Sequence, residues 1–301
     1  MGNRPHKNYD YSRPGVAMLT LKARPNRRLC RITQDTFALT EIGRVVQREL
    51  LGIPSHYPQI KIGQYQIMPD HLHALTHVTR PLPNSVTLPG VIRGFKLGVN
   101  QCCRAAAGTN RFQVFEKGMH HSLVFDRAHL EREVAYIRAN VRRYRLLLAN
   151  PDLFKKPARL LQLADGTRLW GIGNRFLLKH PRRLQVRISR RATEADWPAV
   201  KERLTDALDQ GYVLVSPFIS PFEKRALREA MDGGGRAIRL THRFFGERYK
   251  PAGSLFELCA AGRLLELSVA GEFARFARLD RAACLKLNEV AGVIATTQWS
   301  Q

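Results

Sequence analysis

The sequence contains few cysteines and no long apolar segment. Its five cysteines are an odd number and never form a C-x-x-C pair, which argues against a disulfide framework and against a zinc knuckle. The first residues include no apolar stretch typical of a secretory signal, and no run approaches the length of a membrane span. These absences predict a soluble cytoplasmic protein of a reducing compartment, without a membrane partner.

Acidic residues are also scarce. The 301 residues include 25 Asp and Glu against 49 Lys and Arg, which gives a formal net charge of +24. Both halves are basic: residues 1–150 carry 23 basic and 9 acidic groups, and residues 151–301 carry 26 and 16. The densest stretch, the basic band of residues 142–191, has 14 Lys or Arg and two acids. A solvated surface is the alternative, but counterion release makes nucleic acid the expected partner.

The first half of the chain alternates between strand and helix patterns. Residues 15–23 predict a strand, and Thr40 is a suitable N-cap for a helix that Gly52 and Pro54 would end. The further predicted elements are two strands that form a hairpin and then two helices, at 59–68, 71–78, 90–108 and 126–148. This order predicts an α+β domain with helices packed on a mostly antiparallel sheet.

The pattern changes after a linker at residues 149–160. Strands then alternate with helices of 10–15 residues, which predicts parallel βαβ units and an α/β second domain. We therefore expect two domains, 1–157 and 158–301. The second half has no G-x-G-x-x-G and no P-loop, and its glycine run at 232–236 is predicted to be a turn.

Residues 68–78, MPDHLHALTHV, place three histidines at even spacing in an apolar run. On a strand, alternate side chains share a face, so His71, His73 and His77 would point one way. Two neutral imidazoles so placed could begin a divalent metal site. Hydrogen-bonded structural histidines are an equal alternative for this stretch alone, and His77 is interpreted as structural.

The helix predicted at 126–148 adds a possible nucleophile. Tyr136 and Asn140 are four residues apart, so they lie one turn from each other on the same helix face. A metal held by His71, His73 and the Asn140 side-chain oxygen could polarise a scissile phosphate, while Tyr136 attacks it. The products would be a 3′-hydroxyl and a 5′-phosphotyrosine, so cleavage and rejoining would need no ATP.

The first 155 residues resemble the single-tyrosine HUH transposases, in particular their REP-associated tyrosine transposase branch. The resemblance is carried by five pieces in the family's order: YDYSRPGVAMLTLKARPNRRL, IMPDHLHALTHV, VIRGFKLGVNQ, VFEKGMHHSLV and REVAYIRANVRRYRL. It implies an HUH-type antiparallel sheet with packed helices, the metal pair His71 and His73, the nucleophile Tyr136 and the further ligand Asn140. It also implies Mg²⁺ or Mn²⁺ as the cofactor.

The sequence departs from the family pattern in two places. Asn140 is followed by Val141 where the family usually has proline, and Ser122 stands where the family has a histidine. Either His120 or His121 could replace that missing histidine. Tyr144, two turns along the helix from Tyr136, is the alternative nucleophile.

The resemblance implies a metal-dependent single-strand DNA endonuclease and strand transferase that acts on hairpin or repeat DNA in the bacterial nucleoid region. It leaves a homodimer open. A domesticated, non-catalytic reader of nucleic acid with a ligand-sensing second domain is the alternative function. The basic residues in or beside the matching pieces that we expect to contact nucleic acid are Arg93, Lys96, Arg138, Arg142 and Arg143.

Residues 184–301 more faintly resemble the Rossmann-like fold of the DNA-processing protein A and lysine-decarboxylase-like families. Loops at the carboxyl ends of parallel strands and helix N-termini bind anions in such sheets. A small phosphate-bearing ligand is therefore the expected partner of this domain, although connecting loops are the alternative for each residue. The candidate anion contacts are Ser216, Ser220, Lys250, Gly253 and Ser254.

Overall fold

A computed structural model describes residues 9–83, 86–246, 249–270 and 279–298. The chain divides into two compact units, Met1–Ala149 and Asn150–Gln301, so the division falls a few residues before the expected boundary near 157. Within the described ranges, no helix combines the length and the apolar character needed to cross a bilayer.

The first unit is an antiparallel sheet with helices on both faces. Its elements, in chain order, are β1 (Gly15–Lys22), β2 (Cys30–Ile32), β3 (Phe37–Leu39), α1 (Glu41–His56), β4 (Ile60–Ile67), β5 (His71–Val78), α2 (Leu88–Ala107), β6 (His120–Val124) and α3 (Arg127–Ala149). The main sheet has the order β4-β5-β1-β6, and β2 pairs with β3 in a separate hairpin. The predicted α+β architecture with an antiparallel sheet and packed helices is confirmed.

Two separate apolar clusters hold the helices on the sheet. The larger one joins α1 and α2 to the sheet face that carries Leu19, Leu72 and Ala74. The smaller one lies on the opposite face and includes Ile137 of α3. Alternation along β5 therefore gives its even-numbered residues to the large core and its odd-numbered residues to the α3 side.

Local capping explains where the helices begin. The Thr40 side chain accepts a hydrogen bond from the Gly43 amide (3.1 Å), as its N-cap position predicts. The predicted end of α1 was wrong, because the helix continues through Gly52 and Pro54 to His56. Ile53 is buried in the core, and its burial offsets the single backbone hydrogen bond that a proline removes near a helix end.

The second unit is built on a six-stranded mixed sheet. Its elements are β7 (Ala158–Gln162), β8 (Arg168–Gly173), β9 (Arg183–Gln185), α4 (Trp197–Asp209), β10 (Val213–Ser216), α5 (Pro221–Asp232), β11 (Arg236–Thr241), α6 (Ser254–Ala260), β12 (Leu264–Ala270) and α7 (Arg281–Thr296). The strand order is β7-β8-β12-β11-β10-β9. Strands β9 to β12 are parallel, as the alternating pattern predicts. Helix α7 packs on the face formed by Val213, Ile238 and Leu265.

The antiparallel strands β7 and β8 were not predicted. They extend the parallel sheet beside β12, and their connecting turn contains Asp165 and Gly166. Gly166 has a φ of 83°, and the Asp165 carboxylate accepts a hydrogen bond from the Thr167 amide (2.9 Å). An Asp-Gly pair between short apolar segments is a hairpin signal that could have located this turn.

Candidate active site

The histidines of β5 lie on the sheet face that α3 covers. His71 is opposite Lys22 of β1, His73 is opposite Thr20, and the exposed His77 is opposite Val16. The ring centroids of His71 and His73 are 4.5 Å apart, and the two rings meet edge to face. The alternation predicted from the sequence thus brings two imidazoles into contact, while His77 lies further along the strand.

Each ring of this pair is oriented by a neighbouring oxygen at Nδ1. The Asp70 carboxylate lies 2.7 Å from His71 Nδ1, and the Thr20 hydroxyl lies 2.8 Å from His73 Nδ1. Because the Asp70 carboxylate only accepts, its bond fixes the tautomer of His71, and the bond from His73 Nδ1 to the Thr20 hydroxyl fixes the orientation of the His73 ring. Nε2 is therefore the atom with which each histidine could bind a cation.

The electrostatic environment keeps His73 neutral. Only 6% of His73 is exposed. Burial is the main cause that lowers the pKa of His73 to about 3, and the nearby His71 lowers it further. A neutral imidazole retains the lone pair that a metal needs, so His73 has the correct protonation state at neutral pH.

Apolar packing of helix α3 on the sheet brings the tyrosine to this pair. Ile137 is fully buried and packs against Met18 and Leu75, which is two residues from His73 on the same face. The adjacent Tyr136 is 42% exposed, and its ring centroid lies 5.4 Å from that of His73. The packing of Ile137 therefore sets the position of a half-exposed phenol beside the histidines.

Charge and burial act in opposite directions on the Tyr136 phenol. Burial raises the pKa of Tyr136, the positive charge of Arg143 lowers it, and the carboxylate of Glu133 raises it. The net direction is upward, so the phenol is protonated at neutral pH. Arg143 is the nearby group that favours the phenolate, which is the stronger nucleophile.

Asn140 lies one helical turn beyond Tyr136 and is buried. Its side-chain nitrogen donates to the Tyr136 carbonyl (3.1 Å), which leaves Oδ1 as the atom suited to a metal. Among the described residues, no group of three or more His, Cys, Asp or Glu could hold a metal ion. The candidate set belongs to another class, with two imidazoles and one amide oxygen, and such mixed nitrogen and oxygen donors suit Mn²⁺ better than Mg²⁺.

The structure distinguishes between the sequence alternatives around this site. His120 of β6 is opposite Thr20, so it lies on the same sheet face as His73, and it is exposed. His121 is opposite Leu19, lies on the other face and is buried with a hydrogen bond to the Tyr11 hydroxyl. Of these two histidines, only His120 is therefore placed to substitute for the histidine that the family has at position 122.

Tyr144 differs from Tyr136 in its surroundings. It is partly buried and packs against the large core cluster of the first unit. Among the described aromatic contacts, the ring that meets His73 from α3 is that of Tyr136. The geometry thus favours Tyr136 as the residue that could react at the histidine pair.

The residues of α2 and α3 that we expect to contact nucleic acid differ in their exposure and in their hydrogen bonds. Arg93 is exposed. The Lys96 ammonium donates to the carbonyls of Glu116 (3.0 Å) and Gly118, so it also holds the loop before β6 in place. On α3, the exposed Arg138 donates to the Gln64 side chain (3.3 Å). Arg142 is exposed and also interacts with other groups of the protein. The half-buried Arg143 acts electrostatically on Tyr136.

The sequence reasoning missed a basic cavity whose lining includes Arg28, an arginine whose charge acts on Asp70. This cavity of about 580 Å³ is lined by residues before β2, of the β2–β3 hairpin and at the start of α1, including Arg28, Arg31 and Arg44. The sequence did contain a signal, because four Lys or Arg fall within residues 22–28, inside one of the matching pieces.

Backbone contacts join the segment between β1 and β2 to the Pro69–Asp70 turn. The Leu29 amide donates to the Pro69 carbonyl (3.1 Å), and the Ala23 amide donates to the Asp70 carbonyl (2.8 Å). A hydrogen bond from His71 is the largest cause that lowers the pKa of Asp70, and the charge of Arg28 adds to it. Gly43 allows α1 to approach this segment, because a Cβ there would lie 1.9 Å from the Leu29 carbonyl oxygen.

The candidate anion contacts of the second unit are not gathered at one site. The Ser216 hydroxyl accepts from the Phe218 amide (3.0 Å), and Ser220 is the N-cap of α5. Lys250 donates to the Phe154 carbonyl. Gly253 and Ser254 lie at the start of the short helix α6, after a different strand. Of these five residues, Ser220 lines a cavity that is described below.

Comparisons with known proteins give weak and partial similarities. No family model matches the chain. An uncharacterised protein of Haemophilus influenzae is 23% identical over 153 residues, which cover 44% of this chain and 84% of that protein. A structure of a REP-associated tyrosine transposase bound to a REP hairpin has 14% identity, a TM-score of 0.36, and coverage of 48% of this chain and 74% of its own. A candidate transposase from Deinococcus radiodurans has 12% identity, a TM-score of 0.29, and coverage of 46% and 98%.

Proposed function

We propose that this protein is a metal-dependent single-strand DNA endonuclease and strand transferase that acts on hairpin or repeat DNA. The observation that carries the proposal is the arrangement of His71, His73 and Tyr136. Both imidazoles are oriented through Nδ1, and the Tyr136 ring lies 5.4 Å from the ring of His73. A purely structural pair of histidines would not require an adjacent half-exposed phenol.

His71 and His73 would hold a divalent cation through Nε2, and Asn140 would hold it through Oδ1. When bound, Mn²⁺ or Mg²⁺ supplies Lewis-acid polarisation of the scissile phosphate. The residues present fit such an ion, because His73 is neutral and both rings have fixed orientations. Asp70 and Thr20 act as positioning residues, since their side chains bond to Nδ1 of the two ligand histidines.

Tyr136 is the nucleophile in this proposal. Its Oη forms a bond to phosphorus, and the bond from phosphorus to the 3′-oxygen breaks. The phenolic proton is lost to solvent, and the departing 3′-oxygen takes up a proton to become a 3′-hydroxyl. The 5′-phosphate remains esterified to Tyr136, so attack by another 3′-hydroxyl can rejoin strands without ATP.

The basic cavity supports DNA as the substrate. Arg28, Arg31 and Arg44 line a concave surface, and the amide of Leu29, the residue after Arg28, donates to the Pro69 carbonyl. A strand whose phosphates lie along these guanidinium groups would pass next to His71. Arginine suits this role because its planar fork can bind two phosphate oxygens at once.

A cleavage assay on hairpin-bearing single-stranded DNA tests the proposal. With Mn²⁺ or Mg²⁺, the full-length protein should form an adduct with the 5′-phosphate end that survives SDS, and a chelator should prevent it. Tyr136→Phe should abolish the adduct and leave DNA binding nearly unchanged, because the ring keeps its volume. Tyr144→Phe is the matched control and should still form the adduct.

The alternatives to this proposal predict different results. Adduct formation by Tyr136→Phe but not by Tyr144→Phe would assign the reaction to Tyr144. Normal cleavage by His71→Ala and His73→Ala in the presence of chelator would refute the metal site. Metal-independent binding of the hairpin without any cleavage by the parent protein would favour the non-catalytic reader of nucleic acid.

A further inference from the structure

A cavity of about 600 Å³ opens in the second unit, at the carboxyl ends of β9 and β10. It lies between the loops that follow these two strands and the first turns of α7. Its volume falls within the roughly 300–1,000 Å³ typical of small-ligand sites, and this edge of a parallel sheet is where ligands usually bind. Its lining combines arginines, two carboxylates and apolar side chains.

The two carboxylates at this cavity are engaged by the backbone. Glu223 is buried and accepts hydrogen bonds from the amides of Ile188 (3.2 Å), Ile219 (2.8 Å) and Ser220 (3.1 Å). These bonds join the loop after β9 to the loop after β10. Asp280 is the N-cap of α7 and accepts from the Ala283 amide (2.8 Å). The two carboxylates therefore accept hydrogen bonds from nearby backbone amides and stabilise the loops that line the cavity.

Three guanidinium groups line the same cavity without acidic partners. Within the described part of the chain, Arg187, Arg190 and Arg281 form no ion pair, and the contact that Arg190 makes is to the Cys284 thiol (3.4 Å). Other arginines of this unit are paired, such as Arg225 with Glu194 and with Glu229. Unpaired arginines around a concave surface attract an anion, and they bind phosphate oxygens with good geometry.

Apolar side chains complete the cavity. Ile188, Ile219, Leu279 and Leu285 are among its lining residues. A bare inorganic anion would gain nothing from these groups, whereas an organic group attached to a phosphate could cover them.

We propose that this cavity binds a small organic phosphate, whose phosphate meets Arg187, Arg190 and Arg281 and whose apolar part lies against Ile219 and Leu285. This site differs from the one expected from the sequence, since Lys250, Gly253 and Ser254 take no part in it. It is also independent of the nuclease proposed for the first unit, because its residues all belong to the second unit.

Calorimetric titration of the full-length protein with naphthyl phosphate tests the proposal. We expect saturable binding that pyrophosphate displaces, and much weaker binding of naphthol, which has the ring but not the charge. Arg187→Gln and Arg281→Gln should each weaken binding about 10- to 100-fold, which is the effect of losing one charge-assisted hydrogen bond. Arg228→Gln, an exposed arginine of α5 outside the cavity, is the matched control and should bind normally.

Three results would overturn the proposal. The first is no binding of naphthyl phosphate by the parent protein, and the second is an equal loss of affinity in the Arg228→Gln control. The third is evidence that the cavity binds a backbone phosphate of DNA and not a small organic phosphate. Affinity for a single-stranded oligonucleotide should be the same in Arg281→Gln and in the parent, and a parallel fall would assign the cavity to DNA.

Discussion

Replacing Thr20 by valine tests whether the histidine pair is a metal site. Valine has nearly the shape of threonine but cannot make the 2.8 Å hydrogen bond to His73 Nδ1. Loss of a group that orients a metal-bound histidine lowers metal affinity about 10- to 100-fold, which corresponds to about 1.4–2.8 kcal/mol. The free energy of unfolding should fall by only about 1 kcal/mol, because one hydrogen bond to a neutral partner is removed.

The measurement is the Mn²⁺ concentration that gives half-maximal cleavage of a hairpin-bearing single strand, together with direct Mn²⁺ binding by calorimetry. Thr20→Val should need about 10 to 100 times more Mn²⁺ than the parent protein. Thr76→Val is the matched control. Thr76 is a buried threonine of the same sheet whose hydroxyl donates to the Ala17 carbonyl (3.2 Å), and it lies on the opposite face from His73.

Two outcomes would refute this reasoning. Unchanged Mn²⁺ affinity in Thr20→Val would mean that the hydroxyl does not position a ligand. An equal loss in Thr20→Val and Thr76→Val would mean that both substitutions act through the stability of the sheet. A loss confined to Thr20→Val would link the tautomer of His73 to metal binding.

Three further predictions concern charge and buried ionisable groups. Arg28→Gln should lower the slope of log affinity for single-stranded DNA against log salt concentration by about 0.7. Arg48→Gln, which lies outside the cavity, should leave this slope unchanged. Equal slopes in the two variants would exclude the cavity from DNA binding. Arg239→Met should destabilise the second unit by about 3–5 kcal/mol because Glu266 is completely buried, and adding Glu266→Gln should restore part of the loss. Urea unfolding followed by tryptophan fluorescence measures this, since all three tryptophans belong to this unit. Burial raises the pKa of Cys259 from 9.0 to about 12, so the native state binds more protons than the unfolded state in that interval. Stability should therefore fall as pH rises from about 9 to about 12, by up to about 1.4 kcal/mol per pH unit for this thiol, and Cys259→Ala should show a shallower fall.

The sequence predicts those parts of the site that depend on spacing along one element. His71 and His73 share a face because a strand alternates, and Tyr136 and Asn140 share one because a helix turns every 3.6 residues. Contacts across the sheet depend on register, which the sequence does not state. The meeting of Thr20 with His73, and the fact that His120 and not His121 shares a face with His73, both follow from the pairing of β1 with its two neighbours.

Tertiary packing explains the places where rules for a single helix or strand gave a wrong or incomplete prediction. Proline and glycine predicted an early end for α1, but the burial of Ile53 kept the helix intact to His56. The basic cavity joins arginines from a hairpin and from a helix, so no local pattern could assemble it. In the second unit, the sequence pattern predicted polar residues after the strands as anion contacts, but it did not predict the arginines that share a cavity with Ser220.

The sparse burial of α3 has a consequence for motion. Only Ile137 and Asn140 of its 23 residues are buried, and its other apolar contacts, such as Val134 and Tyr144, are partly buried. A helix with so few buried residues can detach from the sheet at a lower free-energy cost than the whole unit needs to unfold. In amide hydrogen exchange, we therefore expect α3 to lose protection before β1 and β5. The phenol of Tyr136 would then be carried on an element that opens more easily than the strand that carries the two imidazoles.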